Sequence, residues 1–164
     1  MQRPLWLQAA MLLFFIIVCF AAAAVGALGS MNAPEFYGQL VQPAWAPSPR
    51  LFGPVWTLLY TLMAVAAWLV WRKGPSAAVT IALVVFFLQL ALNALWSWMF
   101  FAWRLGAGAF IEILALWLLI ALCIVLFRRL QPLSAYLLWP YLAWVSFASA
   151  LNLALWQANP AILG

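Results

Sequence analysis

The sequence predicts an all-α membrane protein, a bundle of five transmembrane helices with one long loop between the first and second. Three observations carry this. Of the 164 residues, 71% are hydrophobic and only 5% are charged, about a fifth of the roughly 25% found in an average soluble domain. A soluble fold cannot cover its outside with so few polar groups, so the bilayer must solvate most of the surface. Five apolar runs stand out, each long enough to cross a core of ~30 Å at ~1.5 Å per residue. Finally, the breaks between runs hold proline, glycine or basic residues, and only the first break is long.

The runs are taken in order within a single domain, residues 1–164. The first covers about 5–28. Arg3 and the alanines Ala21–Ala24 give it a likeness to a signal peptide. Its apolar stretch exceeds the usual 7–15 residues of such a segment, so a retained helix is expected. Ala22, Gly26 and Ser30 recur at i, i+4, i+8 and would let a neighbouring helix approach closely. The long break, about 29–51, contains Asn32-Ala33-Pro34-Glu35, the pattern of a short helix with Asn32 as N-cap and Pro34 and Glu35 in its first turn. The second run covers 52–71 and is preceded by Pro47 and Pro49, which stiffen the chain. Pro54 falls in its first turn, where a missing N–H costs little. Arg72 to Ser76 separate it from the third run, 77–103. Arg104 and Gly106 lead to the fourth, 106–127, and Arg128 to Pro132 to the fifth, 133–156. Such short connections imply antiparallel neighbours.

The net charge is +5, but the basic residues sit at the ends of apolar runs as orientation signals. No basic cluster suited to nucleic acid or lipid headgroups is present. Arg3, Arg72, Lys73, Arg128 and Arg129 share one side; Arg50, Arg104 and Glu35 share the other. The positive-inside rule then places the N-terminus in the cytoplasm and the long loop outside. The chain has no histidine, which removes the usual metal ligand, general base and haem axial ligand together. Cys19 and Cys123 have no motif spacing and read as small core residues.

Polar and aromatic residues inside the runs are the informative ones, because each polar group has a cost in hydrocarbon. Gln89, Asn93, Trp96 and Phe100 share one helix face in the third run. Tyr141, Trp144, Ala148 and Asn152 do so in the fifth, and Trp56, Tyr60 and Met63 in the second. These stripes can converge on a pocket with aromatic walls and a few amide hydrogen bonders. The bland alternative for each is an interfacial belt or helix packing. Trp6, Trp68, Trp71, Trp103 and Trp139 lie near helix ends and read as anchors; Trp117 packs or faces lipid. Glu112 stands two turns into the fourth run. An intramembrane acid marks function by default, and an interfacial carboxylate near a helix N-terminus is the other reading.

Pro43-Ala44-Trp45-Ala46-Pro47-Ser48-Pro49 followed by Phe52-Gly53-Pro54-Val55-Trp56 and Tyr60 resembles the signature of the TspO/MBR family, the tryptophan-rich sensory proteins related to the mitochondrial translocator protein, or peripheral benzodiazepine receptor. Gln89 to Phe101 and Pro140 to Asn152 agree with it, in the right order and over nearly the whole chain. The resemblance implies a five-helix bundle, often a homodimer, in the bilayer. It implies a pocket closed by the long loop that takes porphyrins, haem-like tetrapyrroles and isoquinoline or benzodiazepine ligands. Trp45, Trp56, Tyr60, Asn93, Trp96, Phe100, Trp144, Phe147 and Ala148 match its ligand-binding positions. No cofactor is required, porphyrin or haem being the ligand. Some bacterial relatives are reported to degrade protoporphyrin in light, and Trp56 and Trp144 match the tryptophans implicated. The cholesterol pattern of animal members is not matched, because no basic residue follows Tyr141.

The reading favoured is a membrane receptor or sensor for tetrapyrroles, in a bacterial inner membrane. Arg50 or Arg104 can pair with a propionate at the mouth. The alternatives are a transporter of lipophilic molecules, a light-dependent porphyrin-degrading enzyme, and an inert packing subunit. The last has little use for a long Pro/Trp-rich loop among short ones.

Overall fold

The structure, a computed structural model, describes residues 4–164. Arg3, one of the orientation charges, lies outside them. The α-helices are α1 (Leu5–Gly29), α2 (Ala33–Gln39), α3 (Phe52–Trp71), α4 (Ala77–Ser97), α5 (Gly106–Leu130), α6 (Pro132–Ala158) and α7 (Pro160–Leu163). Among the described residues, five segments are long and apolar enough to span a membrane: α1, α3 with the 3₁₀ turn before it, α4 with the turn after it, α5 and α6.

Most boundaries follow local chemistry. Ser76 caps α4, its hydroxyl accepting from the Val79 amide at 3.2 Å. Pro132 opens α6 at N1, where its ring geometry fits and no N–H is needed. α5 continues past residue 127 to Leu130 and carries Arg128 and Arg129 in its last turn, where cations meet the partial negative charge of a helix end. Asn32 holds the N-cap position of α2, with Pro34 and Glu35 in the first turn, but its side chain makes no capping bond.

The third run departs from expectation. It is not one regular helix to residue 103. The α-helix stops at Ser97, and Trp98–Ala102 form a π-helical turn, closed by Trp103 N–H to the Trp98 carbonyl at 2.8 Å. The reason lies in packing. Trp98 is pressed on α1, where a Cβ on Gly29 would come within 2.8 Å of its ring. Its Nε1 donates to the Val25 carbonyl at 2.9 Å. Two residues on, Phe100 is fully buried on the opposite side, and the wide turn serves both placements. Arg104 then reverses the chain with φ 57°, a conformation L-residues rarely adopt.

The spanning helices pack as a closed ring in the order α1, α3, α6, α5, α4 and back to α1, with a smaller α3–α4 contact across the middle. Small residues permit the closest approaches. A Cβ on Gly26 would meet the Ser97 hydroxyl at 3.3 Å, which places part of the small-residue stripe of α1 against α4. A Cβ on Gly106 would meet Trp156 at 2.6 Å, so only glycine lets the start of α5 lie on the end of α6.

A second, smaller core forms where the long loop lies over the bundle end. Phe36, Tyr37 and Leu40 bury against Phe100, Leu151 and Leu155. Asn159 ties the loop down. Its Oδ1 accepts from the Val41 amide at 2.8 Å, and its Nδ2 donates to the Val41 carbonyl at 3.0 Å and the Leu155 carbonyl at 2.8 Å.

Candidate ligand-binding site

A cavity of about 500 Å³ lies at the loop end of the bundle, between α1, α3 and α4 and beneath α2. One wall is α1, which offers Phe20, Ala23, Ala24, Ala27 and Ser30. Opposite stand Phe52, Gly53, Trp56, Thr57 and Tyr60 of α3. Asn93, Trp96 and Ser97 of α4 form the back with Phe101, and Pro34, Tyr37 and Pro49 rim the mouth. Ala24, Ala27, Gly53 and Thr57 are exposed, so the cavity also opens sideways between α1 and α3, towards lipid.

The aromatic walls are held by their neighbours. Trp56 lies tilted on Tyr60 at 5.6 Å and edge-on to Tyr141 at 6.3 Å. Trp96 stacks on Phe100 at 5.3 Å with 11° between planes. Its Nε1 donates to Asn152 Oδ1 at 3.1 Å, and Asn152 Nδ2 donates to the Gly106 carbonyl at 3.2 Å. The indole is thereby fixed from behind while its face remains on the cavity.

The polar floor is a hydrogen-bonded relay through three helices. Tyr60 Oη donates to Asn93 Oδ1 at 2.5 Å, Asn93 Nδ2 donates to Tyr141 Oη at 2.7 Å, and Tyr141 Oη donates to Gln89 Oε1 at 2.8 Å. All four side chains are buried. With no water available in hydrocarbon, each such group needs an internal partner, and the chain of amides and phenols supplies it. Only Tyr60 and Asn93 of this relay reach the cavity wall.

A second chamber, about 20 Å³, lies on the far side of Phe52. Phe100, Trp144, Phe147 and Ala148 line it, with Tyr37, Phe52, Trp96 and Phe101 shared between the two chambers. Phe52 stands edge-on to Tyr37 at 6.2 Å and to Trp144 at 5.8 Å, as a partition. Trp144 Nε1 and the Tyr37 hydroxyl are buried without hydrogen-bond partners among the described residues. Burial raises the Tyr37 phenol above its ordinary pKa, so it stays a neutral donor.

The nine residues singled out in the sequence therefore divide. Trp56, Tyr60, Asn93 and Trp96 line the large cavity, with Trp96 also on the narrow chamber. Phe100, Trp144, Phe147 and Ala148 line only the narrow one. Trp45 lines neither; it is half exposed and sits edge-on to Phe147 at 5.7 Å. The sequence reading did not name the α1 wall, because alanines at helical spacing carry no chemical signal. It also passed over Phe52 and Tyr37, which the loop delivers. Arg104 lies over the Phe36 ring at 5.0 Å; Arg50 is exposed beside Pro49 at the mouth. Glu112 is buried in α5, away from both chambers' walls, with no partner for either oxygen among the described residues. Among the described residues, no group of three His, Cys, Asp or Glu could hold a metal ion.

Comparison with known proteins agrees with this architecture. The TspO/MBR family pattern matches residues 14–157. The chain is 40% identical over 145 residues to the tryptophan-rich protein TspO of Chlorobaculum tepidum, covering 84% of this chain and 90% of that one. It is 35% identical over 150 residues to the tryptophan-rich sensory protein of Cereibacter sphaeroides, covering 92% of each. It is 36% identical over 127 residues to the human translocator protein, covering 76% of this chain and 75% of that one. A ring of five apolar helices, a tryptophan-rich loop end and a match over most of the length coincide in one molecule: it is an integral multi-pass membrane protein and a member of the TspO/MBR family.

Proposed function

We propose that this protein is a membrane receptor or sensor that binds a tetrapyrrole, or a similarly flat lipophilic molecule, in the cavity between α1 and α3. The observation that carries this is the cavity itself. Its volume of about 500 Å³ falls within the ~300–1,000 Å³ of small-molecule sites. Its walls are apolar, with two indoles and a phenol on one side and, beside Phe20, small α1 residues on the other. A flat ring system fits a slot with aromatic rings on one wall and alanines on the opposite wall. Tyr60 and Asn93 give a hydrogen-bonding floor, and Arg50 stands at the mouth, where a propionate of a tetrapyrrole would emerge. The side opening between α1 and α3 supports uptake from the bilayer, where such a ligand is dissolved.

The sign distribution of charge supports a cytoplasmic N-terminus in a bacterial inner membrane. Arg72, Lys73, Arg128 and Arg129 are at one end of the bundle; Arg50, Arg104 and Glu35 are at the other.

The test fills the slot. Ala27→Trp places an indole on the α1 wall, at an exposed position where the bundle itself need not repack. Protoporphyrin titrated into purified protein, followed by its own absorbance, is expected to bind the wild type saturably at one site. Binding by Ala27→Trp is expected to weaken at least tenfold. Equal binding by the two proteins would sink the assignment of this cavity.

A further inference from the structure

A second concavity lies on the other face of the bundle, in the outer groove between α5 and α6, and is about 620 Å³ in volume. It shares no lining residue with the chambers described above. On α5, Trp117, Ala121 and Arg128 follow at helical spacing; on α6, Ala135 and Tyr136 each lie one turn from Trp139. The alanines make the floor, and the aromatic residues rise on either side. Tyr136 and Trp139 are more than half exposed. The inner end is closed by Trp117, whose Nε1 donates to Ser146 Oγ at 2.8 Å. The outer end is closed by Arg128, an exposed cation in the last turn of α5.

The dimensions and the charge suggest one occupant. Trp117 and Arg128 are eleven positions apart in α5, about 16 Å along the axis. That is roughly half of the ~30 Å hydrocarbon core, the depth of a single leaflet. The groove is apolar along that depth and basic only where the helix meets the headgroups. Arg128 has no ion pair among the described residues, and the chain's two acids, Glu35 and Glu112, lie elsewhere. Arg129 is its neighbour but does not line the groove.

We propose that this groove holds one anionic phospholipid, one of its two acyl chains lying on Ala121 and Ala135 between the aromatic walls and its phosphate paired with Arg128. The chain has no basic cluster that would hold a headgroup by charge alone; here the apolar groove seats the lipid tail, and the one guanidinium pairs with phosphate through two parallel hydrogen bonds. The proposal is independent of what the large cavity binds.

Native mass spectrometry of the purified protein, loaded with phosphatidylglycerol or phosphatidylcholine of the same acyl chains, tests it. The wild type is expected to retain one phosphatidylglycerol in preference to phosphatidylcholine. Arg128→Gln is expected to lose that preference by roughly fivefold, the weight of one basic residue at a membrane surface, while Arg129→Gln keeps it. Ala121→Phe, which fills the floor, is expected to release both lipids while protoporphyrin binding persists. Equal retention of the two lipids by the wild type overturns the proposal. So does equal loss in the Arg128 and Arg129 variants, which would mean a diffuse basic surface. If the wild type is a dimer and Ala121→Phe turns it into a monomer that keeps its lipid, a second copy covers the groove, and this would also overturn it.

Discussion

Replacing Trp56 by alanine removes one of the two indole walls of the cavity, and its effect can be worked from the packing. The ring is held by Tyr60 at 5.6 Å and Tyr141 at 6.3 Å, so in the wild type it is already oriented when ligand arrives. Truncation loses the stacking contribution, about 0.5–1.5 kcal/mol. It also loses apolar contact. If a third of the ~200 Å² that an aromatic side chain buries faces the ligand, about 1.5 kcal/mol follows at ~25 cal/mol per Å². The sum, about 2–3 kcal/mol, weakens binding by roughly 30- to 150-fold. Trp144 gives the internal comparison. It lines only the narrow chamber behind Phe52, so Trp144→Ala is expected to change affinity less than about threefold. Protoporphyrin absorbance titration reports both without relying on the tryptophans removed. If Trp144→Ala weakens binding more than Trp56→Ala, the ligand lies behind the Phe52 partition and the reasoning is refuted.

Three further outcomes are expected. Asn93→Leu breaks two interhelical hydrogen bonds and leaves the Tyr60 hydroxyl without its acceptor; at ~0.6–1.7 kcal/mol for each such bond in a membrane, denaturation in detergent micelles should show about 1–3 kcal/mol lost, and no loss would deny the relay a structural role. Asn159→Ala releases the two hydrogen bonds that join Val41 of the long loop to the end of α6, so hydrogen exchange should rise more than tenfold at Val41 and its neighbours while α3 to α5 stay protected. Gly29→Leu drives a side chain into the Trp98 ring; a loss of 1–3 kcal/mol is expected from overpacking, with a matching change in tryptophan fluorescence, and wild-type stability would show that α1 and the π-helical turn are not in close contact.

Much of the fold was legible because membrane segments announce themselves by length and apolarity. The start of α3 at residue 52 and the break at residues 72–76 follow from proline, glycine and charge, which act locally. The relay was half legible. Gln89 and Asn93 stood out as amides in hydrocarbon, and their common face followed from a period of 3.6. Their partners Tyr60 and Tyr141 could be placed on faces but not joined, since that needs the order of helices around the ring. The Asn159 tie to Val41 spans 118 positions and leaves no local trace. The π-helical turn at Trp98–Ala102 was likewise hidden, since it depends on where Trp98 meets Gly29. Most of all, the α1 wall escaped notice. Of the stripe Ala22, Gly26 and Ser30, Gly26 does approach α4 closely while Ser30 lines the cavity, and nothing in Ala23, Ala24 and Ala27 distinguishes a cavity wall from a lipid-facing surface. The sequence allowed the aromatic stripes to converge; the structure shows Phe52 dividing them into two chambers.

The central claim is that a flat ligand occupies the slot between α1 and α3, in front of Phe52. A crystal structure of the protein with protoporphyrin bound tests it most directly. The macrocycle is expected to lie on Trp56 and Trp96, with Ala23 and Ala27 on its other face and its carboxylates towards Pro49 and Arg50. A macrocycle between Trp144 and Phe147, or outside the helix bundle altogether, would contradict it.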